Sequence, residues 1–353
     1  MLTSAVIGCG GIGPHHAKSY QSTQEIRLGA AVDIVAERAE KVGRQYGVPW
    51  YTRVDDVLSR DDIDVIDVCV PSGLHGDIAI AAARAGKHCI CEKPLDLTPQ
   101  RCDEILAAFE ESGTTLGGIF GHRFADGSLR TKAAIDAGRL GRITLATCST
   151  PWWRTQEYYD SGDWRGTWGL DGGGCLMNQG IHAIDQLLWF CGPVRSVAAR
   201  TARLAHERIE VEDVAVATLE FASGALGAVL GNTAAFSGHA VRHEIMGTDG
   251  MIYLDDDKPV LWKLRDEIEA DAAAAAPAPA DQGTGASSDP LMISADIFVR
   301  NIDDIARAAR LGTEPLVSGR EHRQAVEMVC AIYESARTGR AVDLPLRRFD
   351  PPV

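Results

Sequence analysis

The sequence predicts an α/β protein in two parts. The first is an N-terminal doubly wound parallel sheet. The second is a C-terminal α+β domain with a large open, mostly antiparallel sheet. Three observations carry this. Short apolar runs alternate with helical segments through the first third of the chain, the rhythm of strand–helix–strand units with helices on both faces of a sheet. After about Thr144 the rhythm changes to longer segments with apolar and polar residues alternating, as in strands with one exposed face. The length, 353 residues, suits two cores better than one. The expected boundary divides 1–122 from 123–353.

Composition narrows the function classes. Apolar residues make up 45% and charged residues 24%, with a net charge of −14. An acidic chain of this kind is a poor partner for nucleic acid or an anionic membrane. Nine cysteines lie scattered, several within apolar runs such as "VIDVCV". That is the usage of a reducing compartment. No apolar run reaches the ~20 residues of a membrane span, and no basic, apolar leader precedes the first strand. The expected location is cytoplasmic.

In order, "SAVIG" reads as the first strand and "PHHAKSYQST" as a helix with Pro14 in its first turn. "RLGAAVD" is the second strand, ending at Asp33. The charged helix "VAERAEKVGRQYG" stops at Gly47. "VIDVCV" is a further buried strand, followed by the Ala-rich helix "HGDIAIAAARAGK" and the short strand "HCICEKP". The second part offers strands in "RITLATCST", "VRSVAARTARL", "DVAVATLEFASGALGAVLGNTAAF", "RHEIMGTDGMIYLDDD" and "PVLWKL". One helix, "LMNQGIHAIDQLLWFCG", interrupts them. The Ala/Pro-rich stretch 269–290 reads as an extended loop, and two further helices, "SADIFVRNIDDIARAARLG" and "SGREHRQAVEMVCAIYESARTG", close the chain, with a C-terminal segment free to pack back on the first domain. An exposed sheet face needs a cover, and a second subunit supplies one.

The first turn carries chemistry. Gly8, Gly10 and Gly13 stand in the frame G-x-G-x-x-G between a strand and a helix, and Asp33 ends the next strand 20 residues beyond Gly13. Gly8 makes the turn, Gly10 admits a pyrophosphate and Gly13 lets the helix pack closely. The helix N-terminus faces the phosphates. Asp33 accepts from ribose hydroxyls and repels a 2′-phosphate, which favours NAD over NADP. The loop "VPSGLH" after a later strand is a second candidate cofactor segment, since ligands sit at the carboxyl ends of parallel strands.

"CEKP" at Cys91–Pro94, together with this dinucleotide-binding Rossmann start, resembles the Gfo/Idh/MocA family of sugar and polyol oxidoreductases. "WRGTWGLDGGGCLMNQGIHAIDQLLWF" (Trp164 to Phe190) resembles that family's G-G-x-x-x-[DN]-x-x-x-H-x-x-D signature, and "AIYESARTGRAVDLP" is similar to its C-terminal end. The resemblance implies a bound nicotinamide cofactor, a substrate pocket between two domains and homo-oligomers joined through the sheets as dimers or tetramers. It implies that Lys93 is the active-site lysine and His182 the catalytic histidine. Asn178 stands where many members carry aspartate, and Asp185 matches the acid after the histidine.

The residue chemistry agrees with those roles. A histidine with its ordinary pKa near ~6.5 suits removal of a hydroxyl proton, and a lysine stabilises a developing alkoxide. Asn178, His182 and Asp185, at i, i+4 and i+7, are expected on one face of one helix. Asn178 can orient the histidine but supplies no charge, so His182 is expected to work without that ionic partner or with Asp185 in its place. The expected cofactor set is Gly8, Gly10, Gly11, Ile12 and Gly13, then Asp33 and Ile34, Val70, Pro71, Ser72 and His75, Glu92 and Lys93, and Arg123. The expected substrate set is Lys93, Arg123, Arg154, Tyr158, Trp164, Arg165, Asn178, His182 and Asp185. Arg123 equally suits a salt bridge at the domain boundary. The aromatic segment 151–168 suits either a sugar pocket or an interface. His88, Cys89 and Cys91 lack a fourth ligand, so no metal is expected. The function expected is NAD-dependent oxidation of a secondary hydroxyl of a sugar, inositol or sugar derivative. The same machinery would serve a redox-assisted glycoside lyase or hydrolase, and a non-catalytic NAD- or sugar-binding sensor is the rival from another class.

Overall fold

The computed structural model describes residues 1–266, 268, 271, 295–346 and 348–352. Of the stretch 269–290, only Asp271 falls within them. The chain divides into two compact units, Met1–Gly121 with Ser294–Arg323, and His122–Ile293 with Gln324–Val353.

In the first unit six parallel strands lie in the order β3-β2-β1-β4-β5-β6. They are β1 (Leu2–Ile7), β2 (Ile26–Val32), β3 (Trp50–Tyr51), β4 (Val65–Val68), β5 (His88–Cys91) and β6 (Leu116–Gly118). Ala5, Val6, Ile66, Val68, Ile90 and Cys91 are fully buried, as strands covered on both faces must be. The helices between them are α1 (Gly13–Ser19), α2 (Ala36–Tyr46), α3 (Asp55–Leu58), α4 (His75–Arg84) and α5 (Pro99–Ser112). Local chemistry sets their ends. Thr98 caps α5 by accepting from Arg101 N, and Gly47 ends α2 in the left-handed region, φ 68°. The helix Ala295–Leu311 belongs to this unit. Its Asn301 accepts from Phe120 N and donates to Gly118 O, which satisfies backbone groups at and just past the end of β6.

The second unit is built on an eight-stranded sheet, order β13-β12-β11-β7-β10-β9-β8-β14. Its strands are β7 (Ile143–Pro151), β8 (Val194–Ala202), β9 (Val214–Phe221), β10 (Leu226–Asn232), β11 (Arg242–Gly247), β12 (Gly250–Asp255), β13 (Lys258–Leu264) and β14 (Val342–Asp343). Only the β7–β10 pair is parallel. Before the sheet come α6 (Asp126–Asp136) and, within it, α7 (Gln156–Asp160) and α8 (Ile181–Cys191). Phe190 of α8 packs with Leu140, Ile245, Ile252, Leu254 and Trp262. Alternation leaves Leu145, Val216, Leu226, Leu230, Met251 and Val260 exposed. No helix among the described residues is long and apolar enough to cross a membrane.

Candidate active site

The glycine turn is shaped by close approach. A Cβ on Gly8 (φ +98°) would stand 2.6 Å from Cys69 O, and one on Gly13 would stand 1.8 Å from Gly8 O. The turn therefore presses on the end of β4, and α1 presses on the turn. Gly10 and Gly11 differ. A Cβ on Gly10 would meet only Arg38 Nη1 at 3.8 Å, and one on Gly11 would meet nothing within 4 Å. Ile12 caps α1, with Pro14 in the first turn. The open side of this loop is where a pyrophosphate fits.

Asp33 is buried and braced. Its Oδ2 accepts from Cys9 N (2.8 Å) and its Oδ1 from Val35 N (2.8 Å). An ionised carboxylate offers about four acceptor sites, so each oxygen retains capacity for a ribose hydroxyl. Ile34 beside it is 90% exposed. Val70 and Pro71 are half-buried and Ser72 buried in the loop after β4. His75 is also buried, and its ring nitrogens face Pro94 O (2.7 Å) and Val70 O (2.9 Å). It ties the β4 loop to the β5 loop.

Below this loop lies a charged knot. His16 Nδ1 is 2.8 Å from Asp67 Oδ2, and Nε2 is 3.0 Å from Glu92 Oε1, all buried. Burial opposes a charge on His16, but the two carboxylates outweigh it and push its pKa up to about 10. Glu92 Oε2 accepts from Lys93 N (2.9 Å), so the imidazolium of α1 fixes the residue that positions half-buried Lys93. Ligand atoms of His16, Asp67 and Cys69 lie within 4.8 Å of one another. Both His16 nitrogens already face carboxylates, and burial then Asp67 raise the Cys69 thiol. The group is a hydrogen-bonded core knot.

In the second unit a double glycine introduces the signature helix. A Cβ on Gly174 would stand 1.8 Å from Glu212 O. The Glu212 carboxylate accepts from Gly174 N, Leu176 N and Tyr333 OH (2.9–3.0 Å). A π-helical turn, Cys175–Gly180, then leads into α8. This corrects the sequence expectation of one regular helix through Asn178, His182 and Asp185. The wider turn changes the register, and the three residues have different surroundings. Asn178 donates to Asp171 (2.5 Å). His182 lines a pocket with His122, Trp152, Gln179, Gln186 and Asp257. Asp185, 1% exposed, forms a bidentate pair with buried Arg123, at 2.8 and 2.7 Å. The polar stripe is thus divided between a pocket and a core ion pair.

The aromatic segment is attached to the π turn. Arg154, buried, donates to Gln179 Oε1 (2.9 Å) and lies over Trp152 and Tyr158. Tyr158 OH accepts from Arg165 (2.6 Å) and from Gln179 (2.9 Å). Arg165 is stacked on Tyr158 and Trp164, 4.3 and 4.6 Å from their ring centroids.

Sequence reasoning missed His122, Gln186 and Asp257. His122 Nδ1 is 2.6 Å from Asp257 Oδ2, and Gln186 donates to Asp257 Oδ1 (2.7 Å). The available signal was "LDDDK": a two-residue Asp-Asp hairpin turn. Asp256 and Asp257 have φ 44° and 66°, which such turns require.

A parallel sheet with an open glycine loop and an acid at the second strand defines a dinucleotide-binding enzyme scaffold, with a histidine-lined pocket in its second unit. Residues 2–119 match an oxidoreductase family with an NAD-binding Rossmann fold, and residues 128–253 match the GFO/IDH/MocA C-terminal domain. The chain belongs to the Gfo/Idh/MocA family and is an NAD-dependent oxidoreductase. It is similar to the inositol 2-dehydrogenase of Rhizobium meliloti, 30% identical over 72% of this chain and 76% of that one. It is 26% identical to the myo-inositol 2-dehydrogenase of Thermotoga maritima, over 96% and 97% of the two chains. The crystal structure of the WlbA dehydrogenase from Bordetella pertussis, in complex with NADH and UDP-GlcNAcA, superposes with a TM-score of 0.85 at 30% identity, covering 98% of this chain and 99% of that one.

Proposed function

We propose that this chain oxidises a secondary hydroxyl of a sugar, inositol or sugar derivative, with His182 as general base and Lys93 as electrostatic helper. The observation that carries the reading is His182 at the first turn of α8, in a pocket it lines with His122, Gln179, Gln186 and Asp257, in a chain similar to inositol dehydrogenases. A bound NAD would supply the acceptor for the hydride of the carbinol carbon. Gly8, Gly10, Gly11, Ile12 and Gly13 would hold its pyrophosphate, Asp33 its ribose, with Ile34 and the loop Val70–Ser72 flanking it. His182 takes the hydroxyl proton, and Asn178, anchored on Asp171, orients the neighbouring pocket residues. Lys93, fixed through Glu92, stabilises negative charge on the reacting oxygen. The ring-stacked Arg165 with Tyr158, Trp164 and Arg154 supports a sugar-binding wall. The exposed apolar face of the eight-stranded sheet supports a homodimer or homotetramer, and nine scattered, mostly buried cysteines support a cytoplasmic setting.

The test is NADH absorbance across sugars, inositols and uronates, with NADP+ in parallel. The reading expects NAD+ reduction with at least one member, abolished in His182→Asn and cut about 100-fold or more in Lys93→Met. Wild-type turnover in both variants would overturn the roles.

A further inference from the structure

The pocket that holds His182 contains a second histidine. His122 sits on a one-turn 3-10 helix, Gly121–Phe124. Gln186 of α8 donates to its carbonyl (3.3 Å), so its backbone is fixed to the helix that carries His182. The two rings meet edge to face, centroids 5.3 Å apart. Nδ1 is held by Asp257 at 2.6 Å. Asp257 is itself over-determined: it also accepts from Ser128 Oγ (3.1 Å) and Gln186 Nε2 (2.7 Å). It stands at positive φ in a tight turn. A carboxylate so constrained fixes the Nδ1 edge of His122 and leaves Nε2 uncommitted. The His122 side chain is 29% exposed, and Nε2 has no hydrogen-bond partner among the described residues.

We propose that His122 is a further catalytic residue: held by Asp257, it donates a hydrogen bond from Nε2–H to a substrate oxygen in the pocket shared with His182. The inference rests on the reading of His182 as base and divides the labour between two histidines. His182 accepts the hydroxyl proton, and His122, whose Nδ1 is committed to Asp257, offers Nε2 to the oxygen. Paired titratable groups in contrasting environments sort in this way. The groups facing His122 support the division. Asp257 and Asp256 face it from the hairpin turn, Asp185 and His182 from α8, and His243 from β11, while Arg123, next in the chain, is engaged by Asp185. Burial works against charge on His122, but Asp257, with Asp256 and Asp185, outweighs it and raises its pKa above the ordinary value. No proton leaves His122 in the step; it polarises the oxygen and ends the step in the state in which it began.

The experiment is the pH profile of kcat/KM in the full-length enzyme for wild type, His122→Gln, Asp257→Asn and His182→Asn. Donation by a cation is lost as pH rises through the pKa of His122, so the wild type should show an alkaline limb. Asp257→Asn should move that limb to lower pH, since burial then dominates. His122→Gln should lack the limb and lose about 10- to 100-fold in kcat/KM at neutral pH, the range of a charge-assisted hydrogen bond. NAD+ affinity serves as the check that each variant is folded. An identical limb in all active variants, or His122→Gln within twofold of wild type while His182→Asn is inactive, overturns the inference. Wild-type turnover in His182→Asn would instead overturn the reading beneath it.

Discussion

Replacing Arg123 with methionine removes one half of a buried bidentate pair. The Arg123 and Asp185 side chains are 3% and 1% exposed, and two N–H···O bonds of 2.8 and 2.7 Å join them. The guanidinium also lies 5.3 Å over the Trp189 ring. At an effective dielectric of about 20, two charges about 4 Å apart attract by roughly 4 kcal/mol. Most of that offsets their desolvation, so the pair adds little over apolar replacements. Removing one partner is different, because a bare carboxylate is left buried, at a cost of about 3–5 kcal/mol. For a domain of about 150–250 residues this lowers Tm by roughly 6–20 °C. Burial already raises the Asp185 pKa against the opposing pull of Arg123. Without Arg123 it rises further, and the folded variant binds a proton more readily than the unfolded chain. The loss should therefore grow as pH rises through the carboxylate range. The assay is thermal unfolding at several pH values for Arg123→Met, Asp185→Leu and the double variant. The double variant should recover at least half of the single loss. A shift below about 1 kcal/mol in Arg123→Met, or simple additivity in the double, refutes the reasoning. A raised KM for NAD+ with unchanged Tm would restore Arg123 to the cofactor role its sequence position suggests.

Three further outcomes follow from named contacts. Asp33→Ala should raise the KM for NAD+ roughly 30- to 150-fold, about 2–3 kcal/mol of charge-assisted bonding, and narrow the preference over NADP+; an unchanged NAD+/NADP+ ratio contradicts it. His16 has its pKa raised above the unfolded value, so its stabilisation is complete below about 6.5 and lost as pH rises towards about 10. Urea unfolding of wild type should weaken across that window by up to about 1.4 kcal/mol per pH unit more than His16→Asn does; parallel pH dependences contradict it. Leu230, 43% exposed on the open sheet face and paired in register with Val216, should when changed to Glu lower the sedimentation coefficient of the oligomer; a wild-type value, or a monomeric wild type, removes the sheet as the interface.

Much of this architecture is legible in the sequence because it depends on local periodicity. Alternating apolar runs and helices give the parallel sheet, and period-two strands with Gly and Asp turns give the mixed one. Gly47 and Pro14 mark helix ends through backbone geometry alone. The glycine fingerprint is legible for the same reason: its spacing encodes close approach, seen at Gly8 and Gly13. What is not legible depends on distant partners. Asp33 is foreseeable as an acid ending the second strand, but its bond to Cys9 N spans 24 positions. The His122–Asp257 pair spans 135, and no local pattern joins an "HRF" turn to a hairpin Asp. The π turn before α8 stands where Gly174 N and Leu176 N donate to the distant Glu212 carboxylate, a tertiary contact that helical periodicity does not carry, so periodicity misplaces Asp185. The same periodicity cannot tell a pocket face from a buried ion pair, because both are polar.

The most direct measurement follows a deuterium atom. A substrate that reduces NAD+ is deuterated at each carbinol carbon in turn, and the NADH formed is analysed by mass. The account predicts that one labelled position, and one alone, delivers its deuterium to NADH, at a rate that falls sharply in His182→Asn. Unlabelled NADH from every position, or equal labelling rates in His182→Asn and wild type, would contradict it.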